Sequence, residues 1–315
     1  MKRLLLALPL IGLACAGTEL ELTTPSGILH GTLESPDKPD KACVVLILGG
    51  SGPTDRDGNS LGLPGKNDSL KMVADDLVQR GLTSLRFDKR GIAASRTAGP
   101  KEENLRFDTY VDDAVAWIEF LQGQQGFKKV VILGHSEGAL IGLVAAVKRP
   151  VAAYISLAGT SRRASVLLRE QLATKLTPEL ITESDILLQQ LDQGNPVKKV
   201  SNALDPVFRK SVQPYLISWF KYTPTEEISK LTCPVLIVQG TTDIQVPLAD
   251  AESLHQAKPG SILMKVEGMN HVLKKVAPDP KAQIASYSSP DLPLHPELMG
   301  GIAAFIREKA VPVRP

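Results

Sequence analysis

Residues 130–147 read V-V-I-L, then Gly134-His135-Ser136-Glu137-Gly138, then A-L-I-G-L-V-A-A-V. A short apolar run closed by glycine is the signature of a strand buried on both faces. The nearly all-apolar segment after it is long enough for a helix that is itself buried. Only a tight turn separates the two, so the chain must build a strand–turn–helix unit inside a sheet covered by helices. With 25 glycines in 315 residues, G-x-S-x-G arises by chance in roughly one chain in ten, so its placement on this unit carries the signal. There it describes a turn that lifts a serine above the sheet, with glycines where side chains would strike the neighbouring strand and helix.

The rest of the chain repeats the alternation. Segments 19–24 and 28–34 flank Pro25-Ser26-Gly27 as a hairpin, and 42–48 (ACVVLIL) reads as a second fully buried strand. Asp68 or Ser69 is expected to cap a helix that runs to about Arg80 and ends at Gly81, with a strand over 82–87. Residues 109–121 set Val111, Ala114, Val115, Ile118 and Leu121 on one helical face. Further strands are expected at 152–157, 234–238 and, more weakly, 261–266, with a closing helix at 301–308. Between 160 and 230 the strand signal stops, and Pro196, Pro206, Pro214 and Pro224 break a polar, helix-prone stretch. The expected fold class is therefore α/β, a mostly parallel central sheet flanked by helices. A catalytic domain over 17–159 and 231–315 would carry a helical cap insertion over 160–230.

The amino terminus reads as an address. Lys2 and Arg3 precede an apolar run over 4–13, and Ala14-Cys15-Ala16 offers small residues for a signal peptidase. The run is about half of what a membrane-spanning helix needs, so residues 1–16 are expected to be a signal peptide and the protein periplasmic or secreted, without stable membrane insertion. Lipoprotein processing at Cys15 fits less well, because Gly12 stands where a leucine is usual. Cys43 and Cys233 lie in or beside apolar strand-like runs and read as buried thiols. With 36 basic against 34 acidic side chains, and no basic segment, nucleic acid is a poor partner. The His, Cys, Asp and Glu residues show no metal-ligand spacing.

Ser136 needs a base to take its proton. Of the five histidines, His30 falls in an early strand, His135 within the turn, His255 in a polar helix and His295 among prolines. His271, in Gly268-Met269-Asn270-His271, follows the last strand in a loop and is the expected base. A carboxylate must set its tautomer. Asp243 closes the strand VLIV through Gly240-Thr241-Thr242, at the same edge of the sheet as Ser136, whereas the rival Asp250 is carried off by the helix after Pro247. The order Ser, Asp, His suits a nucleophile on a strand-to-helix turn. Backbone N–H donors for an oxyanion are expected from Glu137, after the nucleophile, and from Ser51 in the glycine-rich run Gly49-Gly50-Ser51-Gly52. A phosphate loop is excluded by the absence of G-x-x-x-x-G-K-[ST]. Thr54 to Asn59 reads as a pocket rim, an anchor for the oxyanion turn or simple Asx turns, and Asp88-Lys89-Arg90-Gly91 as a structural tie between loops. Trp219, Phe220 and Tyr222 are candidates for lining an acyl pocket.

The phrases GGSGPTDRDGN, FDKRGIAAS, VILGHSEG, CPVLIVQGTTDIQVP and GMNHVL, spread over about 40–275, give the chain a resemblance to the α/β-hydrolase superfamily. More narrowly it resembles small bacterial serine carboxylesterases with a helical cap. The resemblance implies cofactor-free hydrolysis of small-molecule esters, with Ser136, Asp243 and His271 in the roles above. Two departures stand out. Gly49 occupies the place where relatives usually carry a histidine before the oxyanion serine, and the arginine–glycine turn continues Ile92-Ala93-Ala94-Ser95 where relatives place glycine. The same triad serves thioesters and peptides, and a catalytically silent binding module is the reading from another class.

Overall fold

The computed structural model describes residues 17–62 and 64–311; the expected address at 1–16 lies outside them. Strands β1 (Thr18–Thr24) and β2 (Gly27–Glu34) form the hairpin. They are followed by β3 (Cys43–Leu48), helix α1 (Ser69–Gln79), β4 (Thr83–Phe87), α2 (Phe107–Gly123), β5 (Lys129–His135), α3 (Glu137–Lys148) and β6 (Ala153–Leu157). Helices α4 (Ala164–Ala173), α5 (Pro178–Asp192), α6 (Asp205–Phe208), α7 (Gln213–Phe220) and α8 (Pro224–Ser229) come next. Strand β7 (Val235–Gly240), α9 (Leu248–Ala257), β8 (Ile262–Val266), α10 (Pro280–Ser286) and α11 (Leu298–Lys309) complete the described chain.

The strands form one eight-stranded sheet in the order β1-β2-β4-β3-β5-β6-β7-β8. β2 is antiparallel to both β1 and β4, and every other neighbouring pair is parallel. The apolar strands alternate between two cores. Val44, Leu46 and Leu48 of β3 face the layer containing α2 and α3, while Cys43, Val45 and Ile47 face the layer of α1 and α11. Val130 and Ile132 of β5 share the first core, and Val131 and Leu133 the second. Burial on both faces is why these strands are continuous apolar runs rather than alternating ones. The helices after β6 have a small core of their own, built around Leu187, Leu188, Leu191, Phe208, Leu216 and Phe220.

Two local readings need correction. Asp68 does not cap α1 with its side chain; it sits in the left-handed region at φ 49°. Its carboxylate accepts from Asn59 Nδ2 at 2.7 Å, and Asn67 Oδ1 takes the N–H of Ser69 instead, at 3.0 Å. Helix α2 starts two residues before the expected 109 because the N–H of Phe107 is satisfied from elsewhere, donating to Ser218 Oγ on α7 at 2.7 Å. The departure at 92–95 also has a structural correlate: Ala93 adopts φ 43°, a conformation that costs a side-chain-bearing residue about 1–2 kcal/mol relative to glycine.

Candidate active site

Ser51, Ser136, Asp243 and His271 all follow the carboxyl ends of parallel strands, β3, β5, β7 and β8 respectively. In a parallel sheet those ends open onto one edge, where ligands bind in α/β folds.

Ser136 is held at φ 56° and ψ −122° between β5 and α3. A non-glycine residue there stores about 1–3 kcal/mol of strain, which the surroundings must offset. Part of that offset is the hydrogen bond from Ser136 N–H to Leu157 O at 3.0 Å. The flanking glycines are obligatory on steric grounds. A Cβ on Gly134 would lie 2.3 Å from Gly138 O, and one on Gly138 would lie 2.5 Å from both Leu48 O and Gly49 O. A Cβ on Gly50 would meet Ser136 Cβ at 3.2 Å, so the glycine-rich loop passes directly against the serine. The amino end of α3 adds partial positive charge at the same place.

His271 Nδ1 lies 2.8 Å from Asp243 Oδ2. Asp243 Oδ1 accepts the backbone N–H groups of Gln245 at 2.7 Å and Val246 at 2.9 Å, and Oδ2 also accepts from Gln239 Nε2 at 3.0 Å. Burial works to raise the carboxyl's pKa, but the imidazole and the two backbone donors outweigh it and hold the group below its ordinary value. An ionised carboxylate accepts only, so the proton on this edge of His271 belongs to Nδ1, which leaves Nε2 free to accept. His135 donates from Nε2 to the carbonyl of His271 at 2.8 Å, and the two rings lie 4.9 Å apart. Burial, reinforced by the neighbouring His271, pushes His135 down to about 4, so His135 is neutral at pH 7 and its role here is to hold the His271 backbone.

A cavity of about 190 Å³ opens over these groups, and Ser51, Ser136 and His271 all border it. Other polar walls come from Thr54, Ser60, Asn67, Ser69, Gln245 and Tyr287. Trp219, Phe220 and Tyr222 do not border it. Phe220 is buried in the core of the α4–α8 helices. Trp219 stacks on Phe107 with centroids 6.1 Å apart, and the Tyr222 ring packs on Phe107 at 5.3 Å. Trp219 and Tyr222 thus help seat α7 and the turn after it on α2, Phe220 fills the core of the neighbouring helices, and the expected place of all three on the acyl side is corrected accordingly.

Asp250, the rival carboxylate, points the other way. It accepts from Thr160 Oγ1 at 3.1 Å, Ser161 N at 2.8 Å, Ser161 Oγ at 2.6 Å and the Arg162 guanidinium at 2.8 and 3.0 Å. It thereby ties α9 to the chain that enters α4. Burial opposes ionisation of Asp250, but Arg162 and Ser161 prevail and its pKa lies below the ordinary value. A depressed carboxylate contributes stability above its unfolded value and loses it as pH falls through the folded one. Unfolding of the protein is therefore expected to steepen below about pH 4. Asp250→Asn should cost about 2 kcal/mol at neutral pH and flatten that acid limb, as read from denaturant midpoints between pH 3 and 7.

The loop 54–59 borders the cavity through Thr54 and Gly58 and is also pinned to its surroundings. Asp55 Oδ1 accepts the N–H groups of Asp57 and Asn59, both at 2.9 Å, which is Asx-turn chemistry. Arg56 binds Asp88 through its backbone N–H at 2.8 Å and its guanidinium at 2.9 and 3.1 Å. Arg90 pairs with Asp113 of α2, so the 88–91 turn does tie loops together. The residues that sequence reasoning passed over are Gln239, Gln245 and Tyr287, while Lys89 was read only as part of the structural 88–91 turn. Gln239 alone had a visible signal, a polar side chain inside an otherwise apolar strand. Among the described residues no group of His, Cys, Asp and Glu is placed to hold a metal ion.

Comparison with known proteins bears on the same region. The esterase EstD of Thermotoga maritima is 24% identical over 78% of this chain, which spans only 58% of EstD's own length. The mouse serine hydrolase BPHL is 28% identical over 63% of this chain and 66% of that protein. Among solved structures, Est1E of Butyrivibrio proteoclasticus with ferulic acid bound superposes with a TM-score of 0.60 at 18% identity, covering 92% of this chain and 98% of Est1E. That likeness identifies the fold as the α/β-hydrolase fold. The family described as serine aminopeptidase, S33, matches residues 62–273, a span that holds the strained serine, the carboxylate and the imidazole. The chain belongs to this family of α/β serine hydrolases.

Proposed function

We propose that the protein hydrolyses small carboxylic esters through an acyl-enzyme on Ser136. The observation that carries the reading is the His271–Asp243 contact of 2.8 Å beside a cavity onto which a serine at φ 56° also opens. In the first half-reaction Ser136 Oγ attacks the ester carbonyl while His271 Nε2 takes its proton. The oxyanion rests on the N–H groups of Ser51 and Glu137, and the alcohol departs with the proton held by His271. In the second half, water gives its proton to His271, attacks the acyl carbon, and Ser136 recovers its proton as the acid leaves. No cofactor enters either half.

The cavity walls favour a short acyl group and an ester over an N-terminal peptide. Among the described residues that line it, Val272 is the aliphatic side chain beyond the glycines, so they offer a long hydrocarbon tail little apolar surface to bury. None of the described lining side chains is a carboxylate, so these residues offer a substrate's α-ammonium no counter-charge. With p-nitrophenyl esters from acetate to decanoate, kcat/KM is expected to peak at two to four carbons and to fall at least about tenfold by the longest, each 1.4 kcal/mol of lost fit being a factor of ten. An alanine p-nitroanilide should be hydrolysed more slowly than the acetate ester. A fluorophosphonate should abolish all activity. Preference for decanoate would overturn the acyl-length reading, and silence with no labelling would overturn the hydrolase reading.

A further inference from the structure

Lys89 is 5% exposed, and nothing in the proposed chemistry uses it. Its Nζ donates to Gly50 O at 2.6 Å, lies 3.4 Å from Glu137 Oε2 and sits 5.4 Å from the centroid of the Tyr110 ring. Tyr215 of α7 donates its hydroxyl to Glu137 Oε1 at 2.6 Å. An ammonium this deeply buried is costly unless it is paired and hydrogen-bonded, and here both polar partners, Gly50 O and the Glu137 carboxylate, belong to the oxyanion side of the site. We propose that Lys89 is a positioning residue that aims both oxyanion donors. This assignment rests on the ester-hydrolase reading above.

The argument is one of peptide geometry. In a trans peptide unit the carbonyl of one residue and the N–H of the next point in opposite directions within one plane. Gripping Gly50 O therefore sets the direction of Ser51 N–H, which has no hydrogen-bond acceptor among the described residues. The loop needs such a grip because Gly49, Gly50 and Gly52 leave its backbone dihedrals open. Gly49 brings no side chain that could brace it. A side chain on Gly50 would crowd the serine, since its Cβ would press on Ser136 Cβ at 3.2 Å. The second donor, Glu137 N–H, belongs to the residue whose carboxylate pairs with the same ammonium. One buried charge thus couples the β3 loop to the start of α3, and Tyr215 extends the coupling to α7.

The test compares wild type, Lys89→Met and Lys89→Arg on p-nitrophenyl acetate, with inhibition by a trifluoromethyl ketone whose adduct on Ser136 carries an oxyanion. Because the donors act on charge that develops in the transition state, Lys89→Met should lower kcat about 10- to 100-fold with KM within about twofold. Ketone affinity should weaken by the same factor as kcat/KM, and Lys89→Arg should recover part of both. A merely structural role would lower the thermal midpoint and the fraction of fluorophosphonate-labelled sites while leaving ketone affinity per labelled site unchanged; that pattern, or an unchanged kcat, overturns the assignment. Should Lys89→Met not fold, Glu137→Gln removes the ammonium's counter-charge and should show the same kcat-only loss at several-fold; no loss there overturns the assignment equally. If wild type itself neither turns over esters nor takes the fluorophosphonate, the hydrolase reading falls and the brace with it. An active wild type matched by Lys89→Met removes the brace alone.

Discussion

Ser136→Ala is expected to lower kcat on p-nitrophenyl acetate by about 10⁴-fold or more while leaving KM within a few-fold. In the proposed mechanism the hydroxyl forms the covalent bond, so its loss would abolish the acyl-enzyme route rather than weaken it. What remains should be the background from a cavity that still binds ester and still presents Ser51 and Glu137 N–H groups. Stability should not fall, because among the described residues the oxygen has no hydrogen-bond partner: the turn is pinned by backbone, through Ser136 N–H to Leu157 O. A small gain in thermal midpoint would be consistent with that. Rates measured on protein purified from a host without esterase background, together with loss of fluorophosphonate labelling, check the result. A rate within tenfold of wild type would remove Ser136 from the mechanism.

Asp243→Asn should cost roughly 10³- to 10⁴-fold in kcat, for a reason that the hydrogen bonds around the carboxylate make specific. Oδ1 accepts two backbone N–H groups, from Gln245 and Val246. An asparagine must keep its single oxygen there, which turns its NH₂ toward His271 Nδ1 and toward Gln239 Nε2. The first contact makes Nδ1 an acceptor and moves the imidazole proton to Nε2, the position that has to receive the proton of Ser136. The second sets two donors against each other inside a buried site. Activity should return partly as pH rises and hydroxide takes over from the base, so the rate of the variant should climb through the alkaline range where wild type has levelled. A pH profile parallel to that of wild type, only lower, would mean that Asp243 acts through shape and not through the tautomer.

Much of the fold was legible because it rests on local causes. The runs ACVVLIL, VVIL and VLIV each pack one half of their residues into each core, and no other use of such runs is consistent with a chain of ordinary polarity. The glycines of the Ser136 turn are required because a Cβ at Gly134 or Gly138 would lie 2.3 to 2.5 Å from backbone oxygens, which is why the motif carries weight once a strand precedes it and a helix follows. The choice of Asp243 over Asp250 also had a local basis. One ends a strand, and the other lies within α9.

Other features had none. Trp219, Phe220 and Tyr222 are apolar enough for a pocket or for a core, and only the packing of the helices decides that Trp219 and Tyr222 lie on Phe107 and Phe220 in the core of the α4–α8 helices. The start of α2 depends on a serine 111 residues away, and the ammonium of Lys89 meets a carbonyl 39 residues before it and a carboxylate 48 residues after. By itself the sequence determined which segments are strands or buried helices and which residue types stand at the edge where strands end, because burial periodicity and steric need at glycine act between near neighbours in the chain. The tertiary structure decided what those side chains touch: the grip of Lys89 on the Gly50 carbonyl, the small polar cavity, and the diversion of the aromatic side chains into helix packing. Those contacts join segments whose relative positions follow from the sheet order β4-β3-β5-β6-β7-β8, and hydrogen bonds and close packing act only over the last few ångströms, after that order has brought them together.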